Sequence, residues 1–529
     1  MTFSKKIFLI FLFIYLPIGI FYSLETGLSH DEFHEQLNWE FNLALIKSTL
    51  FQIQLDPIYD NYLETFHGVF HGIGFHILSQ PIQFLLENII SKYQTIDQHS
   101  AHLLGKHPVI FISFFISGIF VYLITRKIIS NEKFCMFITA LYLFYPYLVG
   151  HAFFNPKDIP FLCFWIICTY LSFDLFEKIS KGEYVSFWRV ILISFITAFL
   201  ISIRITGVLI FIQYLVTFII FLNSFEINFF NFIKKHNKQM IVFLLGLLFF
   251  IYLLYPVFWT NPLLLFTAIN YLGHFFHDVC TLTLGTCMDA RKLDPTYIPI
   301  WLSVKLPLLV LIGILLLPFS EKKIFINKKN NVFFGTILFT SLGIPIFLII
   351  NGVNIYDEIR HILFLIPIIF ILGVVSFYVF SSKIFYFFSF ATLFLFIIEN
   401  IKIYPYQYVW FNTPSRVLNL SKNFELDYWG VSSKELAKKI TEIKIEKNDK
   451  SCVLIGVWST KSYLDANIFD CIGPWSAIDS NFQRPFFAIQ NVRNLKKGRS
   501  FKCKSVYEEK FKFLFFDEEL LVGRIVKCT

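Results

Sequence analysis

The stretch GHAFFNPKDIPF, residues 150–161, places a short polar segment between two long apolar runs. It brings Asn155, Lys157 and Asp158 to what we predict is a membrane surface, where charged groups are costly and usually functional. A simpler interpretation has Asp158 at the start of a helix and Lys157 extending toward the lipid headgroups. In both interpretations the flanking runs are membrane spans, and this decides the fold class.

Composition places the whole chain in the membrane. It is 56% hydrophobic and contains 69 Phe residues, and its mean hydropathy is +0.62. These values are typical of an integral membrane protein. The net charge of +9 comes largely from basic residues in short loops between apolar runs, so it indicates membrane orientation and no nucleic-acid partner.

A span needs about 20 apolar residues, and the chain offers about eleven candidates. The first follows Lys5 and Lys6, and we keep it as a span because no small-residue cleavage site follows it. The candidates are 7–23, 107–125, 134–151, 159–176, 187–203, 206–223, 241–258, 300–318, 332–350, 361–380 and 384–401.

Basic loops fix the predicted orientation. With eleven spans, the Lys-rich loops fall on one side, so the N-terminus is cytoplasmic. The external side then holds 24–106, 152–158, 259–299, 351–360 and everything after about 402. The apolar segment 67–90 would invert this order if it spanned. Because it carries His67, His71 and His76, we predict an interfacial or partly buried helix instead.

From about Tyr404 the composition becomes more polar, and short β-type runs appear. We therefore divide the chain into a transmembrane domain, 1–403, which includes the first external loop 24–106, and an external α+β domain, 404–529. The predicted strands lie in the runs CVLIGVWS, RPFFAIQNV, FKFLFF and LLVGRIV.

Six cysteines fall on the predicted external side, and an even number there suggests disulfides. Cys280 and Cys287 form a plausible local pair. The other four allow three pairings, which remain open: Cys452, Cys471, Cys503 and Cys528.

The first external loop opens with SHDEFHEQ, in which Asp31 and Glu32 are adjacent carboxylates. Partial desolvation at the membrane surface should raise a carboxylate pKa, and the neighbouring charge should couple the two. Such a group is a candidate general base. The alternative is a solvated loop start with a helix-capping Asp.

Histidines in the same loop allow a metal site. His30 and His34 are spaced i,i+4 around Asp31, one substitution from the zinc-protease pattern H-E-x-x-H. A divalent metal held by His30, His34 or Glu35 is therefore possible, and His67 with His71 repeats the spacing. Histidines without a metal remain the simpler interpretation.

Two arginines lie at the predicted external ends of spans. Arg204 stands in ISIRITG with almost no loop around it, and Arg360 stands beside His361 in YDEIRHILF. The planar guanidinium suits phosphate. Each could instead be an interfacial anchor or part of an internal Asp–Arg pair.

Taken together, these motifs resemble bacterial membrane glycosyltransferases related to the protein O-mannosyltransferases, in family 39 of the C-type superfamily. The resemblance rests on GHAFFNPKDIPF, HDE after the first span, SIRITG, IYDEIRHILFLIP, and YPYQYVWFN followed by FELDYWGVSSKEL. The chain departs from the family pattern at Glu358, where Gly is usual.

The resemblance implies a polytopic enzyme of the bacterial inner membrane, with its site and C-terminal domain on the periplasmic face. It implies transfer of a sugar, with mannose as the family's example, from a polyprenyl-phosphate donor to a protein, lipid or glycan hydroxyl. Asp31 would be the base, Glu32 would support it, and Asp158 would be a second acid. The donor phosphate would be held by Lys157, Arg204, Arg360 and His361. No cofactor is required by this chemistry.

Two other functions fit the same features. A non-enzymatic carrier or flippase for lipid-linked glycans would also need external arginines and a polar cavity, but it would not need Asp31. An assembly factor could keep the fold without the chemistry.

Overall fold

The computed structural model describes residues 3–59, 62, 67–273, 279–291, 294–447, 451–474, 485–492 and 503–528. Within them, eight helical segments are long and apolar enough to cross a membrane, or up to ten if each of two bent pairs is one span. The α-helices are α1 Phe3–Glu25, α2 Asp31–Phe51, α3 Gly74–Gln94, α4 Gln98–Leu104, α5 His107–Ile128, α6 Glu132–Leu143, α7 Pro146–Phe154, α8 Asp158–Ser180, α9 Phe187–Ile203, α10 Ile210–Phe225, α11 Phe229–Leu254, α12 Leu264–Gly273, α13 Tyr297–Lys305, α14 Leu308–Leu315, α15 Leu317–Ile324, α16 Lys328–Ile350, α17 Ile366–Phe380, α18 Ser382–Lys402, α19 Leu420–Asn423 and α20 Ser433–Lys447.

Short 3-10 turns join several of these helices. They are Pro57–Tyr59, His67–Phe70, Ile205–Leu209, Pro256–Phe258, Arg360–Leu365, Gln407–Val409, Thr413–Leu418 and Trp458–Tyr463.

The prediction of a mostly helical, multi-pass membrane protein is confirmed, but not every predicted span is straight. Helices α6 and α7 bend by 59° next to Pro146, and α13 and α14 bend by 119° around Pro307. Proline lacks the N–H that would continue the helix. The prediction of one span over 300–318 is therefore wrong as a straight helix, and α9 is only 17 residues long.

Helix α3, which overlaps the predicted interfacial segment 67–90, is not among the helices of the described residues that are apolar enough to cross a membrane. Its polar side chains His76 and Gln80 are buried, whereas Phe84 and Leu85 are 61% and 72% exposed. An inward polar face and an outward apolar face suit a helix that lies at the membrane interface.

Gly150 sets how closely the opening motif packs. A Cβ at this position would lie 2.0 Å from the backbone nitrogen of Tyr408. Only glycine allows this approach, so α7 rests directly on the chain that follows the last span. Tyr408, Val409 and Trp410 are accordingly buried in the same core as the helices.

The C-terminal region is α+β, as predicted. The strands, numbered after the hairpin strands β1 Cys280–Thr283 and β2 Thr286–Asp289, are β3 Val453–Ile455, β4 Ile472–Pro474, β5 Phe486–Asn491, β6 Cys503–Phe511 and β7 Leu520–Cys528. The sheet has the order β4-β3-β5-β7-β6, with parallel pairing of β3 to β4 and β5 and antiparallel pairing of β7 to β5 and β6. Helix α20 packs on one face through Leu436 and Ile440.

One predicted strand is wrong. The run FKFLFF, 511–516, has only its first residue in a strand, and a turn follows at 514–515. The strand is instead β6, the more polar segment that precedes this run. It lies at the edge of the sheet, where its side chains are half-buried or exposed, so an edge strand can be polar. In RPFFAIQNV the strand begins at Phe486, and Arg484 lies outside the described residues.

The structure joins the six cysteines that we predict to be external in three pairs. Cys280 bonds to Cys287 across the β1–β2 hairpin, Cys452 to Cys471, and Cys503 to Cys528 between β6 and β7. Each bridge therefore links neighbouring strands or the residues next to them.

A strained turn precedes Arg360 and the span that ends with α17. Asp357 and Glu358 have φ values of 55° and 63°, in the left-handed region that favours glycine. Three contacts hold the turn. Thr281 Oγ1 accepts from the Asp357 N–H at 2.9 Å, Tyr297 donates to the Glu358 carbonyl at 3.0 Å, and Lys305 Nζ lies 2.9 Å from Glu358 Oε1.

We expect Gly150→Ala to lower the thermal unfolding midpoint of the purified protein clearly, because the new methyl group would force α7 away from Tyr408. Overpacking of this kind costs about 1–3 kcal/mol, more than alanine's helix propensity returns. Gly343→Ala is the matched control, since nothing lies within 4 Å of a Cβ there. Equal midpoints for the two variants would contradict the packing argument.

The Glu358–Lys305 pair predicts a rescue. Glu358→Gln should cost about 3–5 kcal/mol, because a fully buried ammonium group loses its carboxylate. The double variant Glu358→Gln/Lys305→Met should recover most of that loss in detergent unfolding titrations. A double variant as unstable as the single one would show that the pair does not support the turn.

Candidate active site

A cavity of about 400 Å³ opens where α2, the α7–α8 junction, the α9–α10 junction and the turn before α17 meet. It brings together most of the residues that the sequence singles out. These are His30, Asp31, His34, Lys157, Asp158, Arg204, Arg360 and His361.

Asp31 lies against Arg360 although 329 positions separate them in the chain. Arg360 Nη1 donates to Asp31 Oδ2 at 3.0 Å, and its Nη2 lies 3.6 Å from Asp357 Oδ2. Burial alone would raise the pKa of Asp31, but the charges of Arg360 and Lys157 outweigh it and hold the pKa below its usual value. The prediction of a raised pKa is therefore wrong, and Asp31 is ionised at neutral pH.

Lys157 turns into the cavity and pairs with Glu35. Its Nζ lies 2.5 Å from Glu35 Oε1, and the other oxygen of Glu35 lies 3.8 Å from His76 Nε2. Burial would raise the pKa of Glu35, but Lys157 and His76 bring it well below the usual value. The simpler interpretation had Lys157 extending toward the headgroups. Its side chain is instead only 15% exposed and is directed toward Glu35.

Asp158 and Arg204 form the third pair of the cavity. Asn155 positions the carboxylate: its Nδ2 donates to Asp158 Oδ2 at 3.0 Å, and its Oδ1 accepts from the Asp158 N–H at 2.9 Å. Arg204 Nη2 lies 3.2 Å from His361 Nδ1. The NPKD segment thus starts α8 and orients a charged group at the same time.

Glu32 lies outside the cavity lining. It is 1% exposed, accepts from the Ser29 N–H at 2.6 Å, and lies 3.0 Å from His107 Nε2. Since consecutive residues of a helix point in different directions, Asp31 faces the cavity and Glu32 faces the bundle. Glu32 therefore anchors the start of α2 to Ser29 and to His107 of α5.

Several polar atoms of the lining lack hydrogen-bond partners among the residues that the structure describes. They include Thr206 Oγ1, His71 Nδ1 and His361 Nε2. Because His361 Nδ1 accepts from Arg204, its Nε2 carries the proton. Burial and Lys157 lower the pKa of His71 to about 3, so its ring is neutral. The cavity therefore offers further hydrogen bonds to a ligand.

The geometry does not support the possible metal site. His30 and His34 both line the cavity, with ring centroids 5.2 Å apart. Over the described part of the chain, however, no group of three or more His, Cys, Asp and Glu side chains is arranged to hold a metal ion. The ammonium group of Lys157 already lies against Glu35. The side chain of His67 lies outside the described residues.

The sequence-based expectations gave Thr206 no role, and they did not place His71 or Trp429 beside the arginines of the cavity. Glu35 enters those expectations only as a metal ligand. Its position four residues after Asp31 was an available signal, because i and i+4 share a helix face. Thr206 lies two residues after Arg204 in ISIRITG. Trp429 belongs to FELDYWGVSSKEL, but its place beside Arg360 could not be inferred, because it comes from beyond the last span.

The solved structures that are similar to this chain include two crystal structures of one protein. The crystal structure of ArnT from Cupriavidus metallidurans in the apo state has 9% identity and a TM-score of 0.48, over 99% of this chain and 98% of that one. The structure of ArnT from the same organism bound to undecaprenyl phosphate has 10% identity and a TM-score of 0.47, over the same shares. No family model and no curated protein matches. Likeness at this level carries no functional argument.

Proposed function

We propose that this chain is a membrane glycosyltransferase that moves a sugar from a polyprenyl-phosphate carrier to a hydroxyl acceptor. The location of the cations carries the proposal. Lys157 precedes one candidate span, Arg204 precedes another, and Arg360 is the first residue of a third. All three line one cavity, and the ends of membrane spans are where lipid phosphates are expected.

The lining also suits the rest of such a donor. Leu209, Leu348 and Phe364 stand in the same cavity as the cations. Apolar side chains beside cationic ones fit a polyprenyl chain that ends in a phosphate. The volume of about 400 Å³ lies within the usual range for small-ligand sites.

The chemistry follows from the three charged pairs. The acceptor hydroxyl oxygen attacks the anomeric carbon, and the bond from that carbon to the phosphate oxygen breaks with its electron pair on the phosphate. Arg360, Arg204 and His361 stabilise the developing charge. Asp31 takes the hydroxyl proton as general base.

The low pKa of Asp31 fits this role once the donor binds. A phosphate that attracts Arg360 weakens the contact between Arg360 and Asp31. The pKa of Asp31 then rises, because the charge that lowered it has a new partner. Donor binding thus prepares the base.

The proposed function includes an acceptor, a sugar and a membrane face. The acceptor is a protein, lipid or glycan hydroxyl, and the sugar is a hexose such as the mannose of the resembling family. The disulfide-linked β1–β2 hairpin contacts the turn that lines the cavity, through Thr281 and Asp357. Because disulfides form in oxidising compartments, this supports a periplasmic site in the inner membrane with a cytoplasmic N-terminus.

We expect the purified wild-type chain to bind undecaprenyl phosphate, and Arg360→Gln to weaken that binding at least about 10-fold, since a charge-assisted contact to phosphate is lost. Arg126→Gln is the control, because Arg126 lies in the last turn of α5 and does not line the cavity. Thermal unfolding midpoints check that the variants fold. Equal affinity of both variants would refute the phosphate site.

Asp31→Asn should reduce sugar transfer about 100-fold or more, because the acceptor proton then has no base. Binding of undecaprenyl phosphate should be retained, since Arg360 loses a competing carboxylate. The measurement is incorporation of labelled sugar into membrane glycolipids and external glycoproteins. Glu40→Gln, on the same helix but outside the cavity lining, is the control.

The same assay separates transfer from transport. If Asp31→Asn and Asp158→Asn both support wild-type product at normal protein levels, the catalytic assignment is wrong. A carrier or flippase for lipid-linked glycans then explains the cavity better, since it needs the cations and not the base.

A further inference from the structure

Trp429 comes from beyond the last span and still forms a wall of the cavity. It is 2% exposed. Its ring centroid lies 4.7 Å from the guanidinium carbon of Arg360, and the ring of Tyr356 lies 5.3 Å from the same atom. Arg360 is therefore in cation–π contact with two aromatic rings, and one of them belongs to the C-terminal region.

The backbone of Trp429 also contacts the residue that precedes Asp31. Its carbonyl accepts from the His30 N–H at 3.2 Å. His30 is the N-cap residue of α2, which begins at Asp31. One residue thus contacts the segments that carry both the proposed base and the proposed phosphate-binding arginine.

A network around Asp427 fixes the loop that carries Trp429. Asp427 accepts from the N–H groups of Val431 and Ser432 at 3.0 and 3.2 Å, and from the hydroxyl groups of Ser432 and Tyr408. Asn491 Nδ2 donates to Ser432 Oγ at 2.8 Å. The loop is therefore tied to the chain after the last span and to the sheet at once.

Gly430 lets the loop take this shape. Its φ is +70°, and a Cβ would lie 3.0 Å from the side chain of Val457. A residue with a side chain is disfavoured there on both counts.

We propose that Trp429 is a positioning residue of the transfer site, by which the C-terminal region holds Arg360 against the donor phosphate. The inference rests on the proposed function. It assigns the C-terminal region a part in donor binding. Asp427 acts behind Trp429 by fixing its loop.

A merely structural role for Trp429 has different consequences. Its ring also packs on Phe154 and Tyr428, with centroids 5.6 and 5.4 Å away. Loss of that packing would lower stability and would affect binding whether or not Arg360 is present. Positioning through Arg360 requires that the effect on binding disappear when the guanidinium is gone.

A double-mutant cycle on the full chain tests this, with binding of undecaprenyl phosphate as the readout. Trp429→Leu should weaken binding about 5- to 10-fold, and Trp429→Phe, which keeps a ring over Arg360, should stay within about 3-fold. In the Arg360→Gln background, Trp429→Leu should add less than about 2-fold, because the two changes remove one interaction.

The outcomes separate the two proposals. If the wild-type chain binds undecaprenyl phosphate and Trp429→Leu has no effect, or has the same effect with and without Arg360, the positioning role is refuted and the proposed function stands. If the wild-type chain does not bind the carrier, the proposed function fails and the inference with it. Thermal midpoints within a few degrees keep the comparison among folded proteins.

Discussion

Charges at the ends of membrane-spanning helices need partners, because little water reaches them there. The cavity meets this constraint with three ion pairs: Asp31 with Arg360, Glu35 with Lys157, and Asp158 with Arg204. Each pair joins segments that are far apart in the sequence. The same contacts that neutralise the charges therefore bring the ends of several helices together around one cavity.

Several elements outside the cavity hold Arg360 in place. The turn before it has two residues with positive φ, a conformation that costs energy unless its surroundings fix it. The disulfide-linked β1–β2 hairpin contacts it through Thr281, and the buried Lys305 contacts it through Glu358. Glycine, usual at this position in the resembling family, would meet the backbone requirement alone. Glu358 meets it here through an ion pair.

Much of this arrangement could be predicted from the sequence, because hydrophobic runs and charged interruptions are local signals. They indicated the spans, the non-spanning helix α3, and the grouping of Asp31, Asp158, Arg204 and Arg360 on one face. An internal Asp–Arg pair was one alternative for each arginine, and both form one. Their partners were not predictable, since Asp31 and Arg360 meet only through the fold of the whole chain. The error in the pKa of Asp31 has the same origin: its burial could be inferred, but its cationic neighbours could not.

The balance of charge bears on which carboxylate takes part in proton transfer. Transfer of the sugar turns the phosphodiester of the donor into a phosphate monoester, which can carry a second negative charge near neutral pH. The cavity already holds a carboxylate for each of Lys157, Arg204 and Arg360, so this added charge is best compensated by a proton gained at the site. The attacking hydroxyl releases one proton in the same step. Among the four carboxylates that line the cavity, Asp31 has the most exposed side chain, at 29% against 11% for Glu35, 5% for Asp357 and 3% for Asp158. An acceptor can reach Asp31 most directly, and the proton it receives there offsets the charge that develops on the phosphate held by the neighbouring arginine.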